Sequence, residues 1–130
     1  MATIEAHIGT QKYRTEIKSA TNTIIADEPH DLGGEDLGFS PGELLASSLA
    51  ACTAATLRMY ADRKKWPLEE VKIEVKVDRD TQANTTSFAK TITFFGDLDE
   101  SQIARLTSIA SACPIHKILS NDIIISTEIR

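Results

Sequence analysis

Two cysteines are the residues of this chain whose chemistry stands out. Cys52 lies inside a long apolar segment, and Cys113 directly precedes Pro114. Because proline favours the first position of a helix, Cys113 is expected at the start of a helical turn, where free amides and the helix dipole favour a thiolate. Burial would instead raise the pKa of Cys52 unless a cation reaches it. An activated Cys52 therefore requires a basic partner.

The same residues also allow interpretations without catalysis. Cys52 can be a small apolar residue that fills space among neighbouring alanines. His116 follows Cys113 by three positions and would face the same side of a helical turn, but one Cys–His pair lacks the ligands of a zinc site. A structural or surface role is therefore expected for His116. The two cysteines also lack the CxxC spacing of a zinc site and are too few for a disulfide scaffold, so neither a metal nor a cofactor is predicted.

The segment that carries Cys52 is predicted to be a long helix. Ser40, Pro41 and Glu43 have the order of an N-cap, a first helical residue and the third residue of a capping box. The helix should continue to about Lys65, before Trp66 and Pro67. The first two-thirds of this helix is apolar or small nearly all round, which is typical of a helix buried on most sides. Since 130 residues supply little cover for it, a second copy of the chain is expected to pack against it as a homodimer.

The remaining elements predict an α+β domain. Apolar and polar residues alternate in two later segments, which predicts a β-hairpin, and Asp99 is placed to cap a further helix. The predicted order is βββ-α-ββ-αα-β, with antiparallel sheets around the long central helix. In sequence the elements are three short strands within Thr3–Ala26, a loop over Asp27–Phe39, the long helix, strands Val71–Val77 and Ser87–Phe95, a helix from Asp99 to about Ala112, a turn Cys113–Leu119 and a closing strand Ile123–Ile129.

Composition limits the classes of function. The chain has 130 residues, which fits one domain over 1–130. Its 14 basic and 19 acidic residues give a net charge of −5, which argues against nucleic-acid binding. The uncharged stretch Leu44–Leu57 has 14 residues, too few for a membrane span. The N-terminus has no basic and apolar pattern of a secretion signal. We expect a cytoplasmic protein.

Two motifs resemble the OsmC/Ohr family. They are SPGELLASSLAACTAATLRMYADRKKWPLEEVKIEV over Ser40–Val75 and ACPIHKIL over Ala112–Leu119. The resemblance implies an intertwined homodimer with active sites at the subunit interface and a thiol-dependent peroxidase of the stress response that reduces organic hydroperoxides. It assigns peroxide attack to Cys52, which becomes a sulfenic acid, and disulfide formation to Cys113, with an external dithiol as reductant.

The resemblance also implies an arginine and a glutamate at the site. Arg14 is the only arginine among the first 57 residues and is the candidate for holding the thiolate and the peroxide. Lys12 is the reserve candidate. Alternatively, Arg14 is a solvated strand residue without a catalytic role. Family peroxidases carry the glutamate ten residues before the cysteine, where this chain has Gly42. Glu43 is half a helical turn out of phase, so it either caps the helix or contacts Arg14 as a catalytic residue. Gly42 keeps open an alternative, a non-catalytic small-molecule-binding or redox-sensing protein with the same fold.

Overall fold

The computed structural model describes residues 2–130. These residues group into two compact units, the first ending at Leu45 and the second covering Ala46–Arg130. The organisation as one domain stays a prediction.

The first unit contains a three-stranded antiparallel sheet. Its strands are β1 (Glu5–Ile8), β2 (Thr15–Lys18) and β3 (Thr23–Ala26), in the order β1-β2-β3. Thr15 lies opposite Ile8 on one side and opposite Ala26 on the other. The three short strands predicted from the sequence are therefore confirmed.

The loop after β3 is closely packed against its own backbone. It contains a short 3₁₀ turn, His30–Leu32, and returns to the sheet through a parallel bridge between Phe39 and Ala26. A Cβ atom at Gly34 would overlap the carbonyl oxygen of Glu28. The backbone can therefore approach this closely only because the loop carries glycine at that position.

Helix α1 (Pro41–Lys64) begins where the capping signal predicts. The Glu43 carboxylate accepts a hydrogen bond from the Ser40 amide at 2.9 Å, and the Ser40 hydroxyl accepts one from the Glu43 amide at 3.3 Å. Both bonds of a capping box are present, which satisfies amides that have no partner within the helix. The predicted helix start is confirmed.

Only one stripe of α1 is buried within the chain. It consists of residues spaced four apart, Leu49, Thr53, Leu57 and Ala61. Met59 on another face is 65% exposed. The chain alone therefore does not provide the all-round burial that the sequence predicts. By length and composition α1 could also cross a membrane, a test that core helices of soluble proteins pass equally.

A long hairpin forms the sheet of the second unit. Its strands are β4 (Leu68–Asp80) and β5 (Thr85–Gly96), both longer than predicted. The turn is correspondingly shorter than the predicted Arg79–Thr86, because the Asp80 carboxylate accepts hydrogen bonds from the amides of Gln82 and Ala83, each at 3.0 Å. This side-chain cap closes the turn in the four residues between the strands.

Two further helices complete the second unit. Helix α2 (Glu100–Ile109) begins with the predicted capping box between Asp99 and Gln102. A 3₁₀ turn over Ala110–Ala112 then leads to α3 (Pro114–Leu119), which follows Cys113 as expected. The core joins α1, the hairpin and α2 through Leu57, Ala61, Leu68, Leu106 and Ala110.

The predicted closing strand, Ile123–Ile129, is wrong for this chain: residues 121–130 form neither helix nor strand. Ile124 is 94% exposed and Ile129 is 87% exposed. The β-branched composition favours a strand, but a strand also needs a neighbour whose backbone completes the hydrogen-bond ladder. No other described segment of the chain supplies that neighbour.

Candidate active site

The two cysteines come together in the second unit. Cys52 lies on α1 and is half-buried, whereas Cys113 is fully buried at the start of α3. Their side chains are close enough for each to shift the pKa of the other, and both thiols are free rather than joined in a disulfide. The fold therefore brings the two candidate redox residues together, although 60 positions separate them in the sequence.

The two sulfurs have different environments. Burial raises the pKa of Cys52, and the hydrogen bond to Cys113 raises it further. Burial acts in the same direction on Cys113, but it is outweighed by hydrogen bonds that Cys113 accepts from Cys52, the His116 amide and Thr53, so the pKa of Cys113 is lowered. Cys113 is therefore the more acidic of the two thiols, as its position before Pro114 predicts.

The start of α3 supplies backbone donors to Cys113. The His116 amide donates to Cys113 Sγ at 3.3 Å, so Cys113 caps the helix through its sulfur. Pro114 needs no acceptor because it has no amide hydrogen. The local sequence Cys-Pro-Ile-His thus directs backbone N–H groups to the sulfur.

Lys90 is a residue of this site that the sequence analysis missed. Its ammonium donates hydrogen bonds to Thr53 Oγ1 at 3.3 Å, to the Ala110 carbonyl at 3.0 Å and to His116 Nδ1 at 3.0 Å. Burial lowers the pKa of Lys90, while the negative charges of Cys113 and Cys52 act to raise it. Lys90 is thus a cation beside the two cysteines, bonded to the residues around them.

A signal for Lys90 is present in the sequence. Residues two apart on a strand face the same side of a sheet, so Lys90 shares a face with Phe88, Ile92 and Phe94. All four are half-buried in the structure. A single lysine on the apolar face of a strand indicates a cation that faces the interior, and the alternation of β5 could have identified it.

A cavity of about 200 Å³ lies beside Lys90 in the second unit. Its apolar lining comes from Leu49, Phe88 and Leu119, and Lys90 and His116 are among its polar residues. Its mixed lining suits a small molecule with an apolar part.

Arg14 and Glu43, both in the first unit, are not paired. Arg14 directly precedes β2 and is half-buried, and within residues 2–130 it forms no ion pair. Glu43 instead makes the capping bond to the Ser40 amide at 2.9 Å. The capping interpretation of Glu43 is confirmed, and the contact between Glu43 and Arg14 is absent from the described chain. A catalytic role for either residue stays a prediction.

A buried carboxylate holds the backbone next to Arg14. Asp27 is 2% exposed, and its Oδ1 accepts hydrogen bonds from the amides of Tyr13 at 3.0 Å and Glu28 at 2.8 Å. Its Oδ2 accepts from the amides of Glu35 and Leu37, at 3.3 and 3.2 Å. Burial acts to raise the pKa of Asp27, but the four backbone bonds outweigh it and the pKa is lowered. Asp27 thus joins the loop to the residue before Arg14.

The described residues, 2–130, include no cluster of three or more His, Cys, Asp and Glu side chains that could hold a metal ion. His116 is not a surface residue, since its ring accepts from Lys90 and its amide donates to Cys113.

Comparison with known proteins agrees with this fold. The sequence profile of the OsmC-like protein family matches residues 33–128, while no curated protein matches significantly. A Psychrobacter arcticus protein assigned to osmotic stress induction and detoxification is 28% identical, with a TM-score of 0.77 over 91% of this chain and 88% of that one. An OsmC-like protein of Mycoplasma pneumoniae is 22% identical, with a TM-score of 0.77 over 92% and 87%. An organic hydroperoxide resistance protein OsmC of Legionella pneumophila is 24% identical, with a TM-score of 0.66 over 92% and 88%. With this profile match over most of its length, the chain belongs to the OsmC-like protein family.

Proposed function

We propose that this protein is a thiol-dependent peroxidase that reduces organic hydroperoxides through a Cys52–Cys113 disulfide. The single observation that carries the proposal is that the fold brings the two cysteine side chains close enough to shift each other's pKa. Two sulfurs placed in this way can form a disulfide after a small movement, and a sulfenic acid on one is within reach of the other. A structural neighbour named as an organic hydroperoxide resistance protein supports the substrate class.

Accessibility favours Cys52 as the sulfur that attacks the peroxide. Cys52 is half-buried, whereas Cys113 is 0% exposed. Because a thiolate is the nucleophile, the Cys52 proton must first leave. The pKa of Cys113 is lowered, so Cys113 ionises first and is the neighbouring base for this proton. Because the pKa of Cys52 is raised, Cys113 holds the proton only transiently and passes it to the departing alkoxide, which returns Cys113 to the thiolate.

The reaction then proceeds in two steps. The Cys52 thiolate attacks the terminal oxygen of ROOH, the O–O bond breaks, and ROH leaves after taking up a proton. Cys52 is now a sulfenic acid. The Cys113 thiolate attacks the Cys52 sulfur, the S–S bond forms, and hydroxide leaves as water with a second proton. The dithiol has lost two electrons to the peroxide, and an external dithiol restores it by thiol–disulfide exchange.

Arg14 is the proposed residue that binds the peroxide and supports the Cys52 thiolate, as the family resemblance implies. Its freedom from ion pairs within residues 2–130 supports this assignment. A guanidinium without a carboxylate partner keeps its full charge available for a thiolate or a peroxide oxygen.

A homodimer is part of the same proposal. Apolar side chains of α1 remain open in the single chain: Leu45 is 43% exposed and Met59 is 65% exposed. Burial of such surface is the main driving force of association. Light scattering after size-exclusion chromatography should give twice the 14.2 kDa chain mass; a monomer at micromolar concentration would contradict the dimer.

The test of function is a reaction of the reduced protein with stoichiometric cumene hydroperoxide. We expect rapid consumption of peroxide and loss of two hydrogen atoms by intact mass. Cys113→Ser should consume one equivalent and stop at a sulfenic acid that dimedone traps on Cys52. Cys52→Ser should consume almost none. The double variant, which lacks both thiols, is the control for background decay.

One observation favours a second candidate, a non-catalytic protein that binds a small molecule. The family's glutamate position is occupied by Gly42 in this chain, and the second unit has a cavity of about 200 Å³. In that case cumene hydroperoxide would remain unconsumed and both thiols would still react fully with a thiol reagent. The peroxidase proposal would then be wrong.

A further inference from the structure

Lys90 contacts all three segments that surround Cys113. Its ammonium donates to Thr53 Oγ1 on α1, to the Ala110 carbonyl before α3 and to the His116 ring within α3. Thr53 in turn donates to the Cys113 sulfur, as does the His116 amide. One cation therefore fixes the side chains and backbone that hold the sulfur.

The hydrogen-bond partners of this ammonium are neutral. A hydroxyl, a carbonyl and an imidazole nitrogen satisfy its three N–H groups, and among residues 2–130 no carboxylate forms an ion pair with Lys90. Such a half-buried charge loses hydration without gaining a counterion. The ionisable groups that act on it are the two cysteines. A thiolate of the pair is thus the counterion that the site can offer.

The Thr53 hydroxyl lies between the two charges. Lys90 donates to the Thr53 oxygen, and the Thr53 hydroxyl donates to the sulfur of Cys113. Donation by a cation polarises the hydroxyl and strengthens the bond that the hydroxyl gives. A neutral side chain at position 90 would remove both this polarisation and the through-space attraction.

We propose that Lys90 is a positioning residue that keeps the Cys52–Cys113 pair in its singly ionised form and thereby sets its reactivity and redox potential. The catalytic benefit of this role rests on the proposed peroxidase function, whereas the ionisation of the reduced cysteine pair can be measured without it. Stabilising the thiolate of the reduced state makes the disulfide easier to reduce. Lys90 would therefore assist both the Cys113 attack on the sulfenic acid and the return to the dithiol.

Lys90→Met tests this proposal because methionine keeps the unbranched stem and removes the charge. The readout is the rate of alkylation by iodoacetamide at each cysteine across pH, followed by peptide mass. At neutral pH the rate should fall roughly tenfold, the size expected of one partly screened charge near the sulfur. Lys90→Arg should restore most of it. Lys72→Met, which removes an exposed lysine from the partner strand of the same hairpin, is the matched control and should match the wild type.

Redox titration against glutathione gives a second readout. The disulfide of Lys90→Met should be more stable than that of the wild type by roughly tenfold in equilibrium constant, about 30 mV for a two-electron couple. If Lys90→Met folds poorly, Lys90→Gln replaces it, since glutamine is also neutral.

Equal alkylation profiles and equal redox constants for the wild type and a folded neutral variant would overturn the proposal. A loss of rate that a folded Lys90→Arg does not restore at all would also overturn it, since packing alone would then explain the effect. Neither measurement involves a hydroperoxide. If the peroxidase proposal fails, the cumene hydroperoxide experiment shows it. The alkylation and redox measurements on Lys90 variants are not affected by that outcome.

Discussion

The first and second units each contain a charged side chain withdrawn from solvent, and the two are stabilised differently. Asp27 accepts from four backbone amides at 2.8 to 3.3 Å. Lys90 donates to three neutral acceptors, and its charge interacts electrostatically with two cysteines. Backbone amides cannot titrate, so the Asp27 charge acts only on the fold. Thiols can titrate, so the Lys90 charge can change chemistry. The groups that contact a withdrawn charge, rather than the extent of its burial, therefore decide whether the charge affects only the fold or also the chemistry.

Asp27→Asn should have the largest effect on stability. The amide would place an NH₂ group against two of the four backbone donors, leaving them without an acceptor. We expect a clear drop in the free energy of unfolding and faster proteolysis within residues 27–39. Asp31→Asn, an exposed acid in the same loop, is the control. A denaturant midpoint for Asp27→Asn equal to that of the wild type would contradict the structural role of this carboxylate.

Acid should remove the same stabilisation without a mutation. The pKa of Asp27 lies below its ordinary value of 3.8, so the unfolded chain binds the proton more tightly than the folded chain. The contribution is complete above the unfolded pKa and disappears as pH falls through the folded one. Denaturant titrations from about pH 5 downward should therefore show a steeper loss for the wild type than for Asp27→Asn. Parallel curves would contradict this assignment.

Lys90→Met should change stability less than Asp27→Asn does. Its lost hydrogen bonds are offset by removal of a poorly hydrated charge, so we expect a change within about 2 kcal/mol in the free energy of unfolding at neutral pH. The pKa of Lys90 is lowered from 10.5, so the unfolded chain holds this proton more tightly and Lys90 contributes a rise in stability with pH below 10.5. Lys90→Met should lack that contribution; an equal slope would contradict it.

Local signals in the sequence predicted the parts of the molecule that depend on neighbouring residues. Ser40 with Glu43 and Asp99 with Gln102 fixed the starts of α1 and α2, since capping involves residues three apart. The low pKa of Cys113 follows in the same way from the turn after it.

Features that depend on distant pairing were not predicted. Lys90 bonds to the segments around the cysteines only because β5 packs with its half-buried face toward α1 and α3, and strand alternation alone does not say which elements meet that face. Likewise the apolar segment after Ser120 has strand composition, but composition does not supply a neighbouring strand. The alternation of β5 marks Lys90 as a cation that faces the interior, while its position beside the cysteines required the fold.

Gly42→Glu adds a charge where the structure leaves room, and its effect should be the smallest. A Cβ at Gly42 meets nothing within 4 Å, and the second position of α1 favours both a non-glycine residue and a negative charge. We expect a gain of about 0.5–1.5 kcal/mol in the free energy of unfolding. Gly42→Gln, with similar helix propensity and no charge, should gain less. If Gly42 limits peroxide reduction, only the glutamate variant will consume cumene hydroperoxide faster than the wild type. Equal rates for both variants would mean that a carboxylate at this position, like that of Asp27, acts on the fold and not on the peroxide reaction.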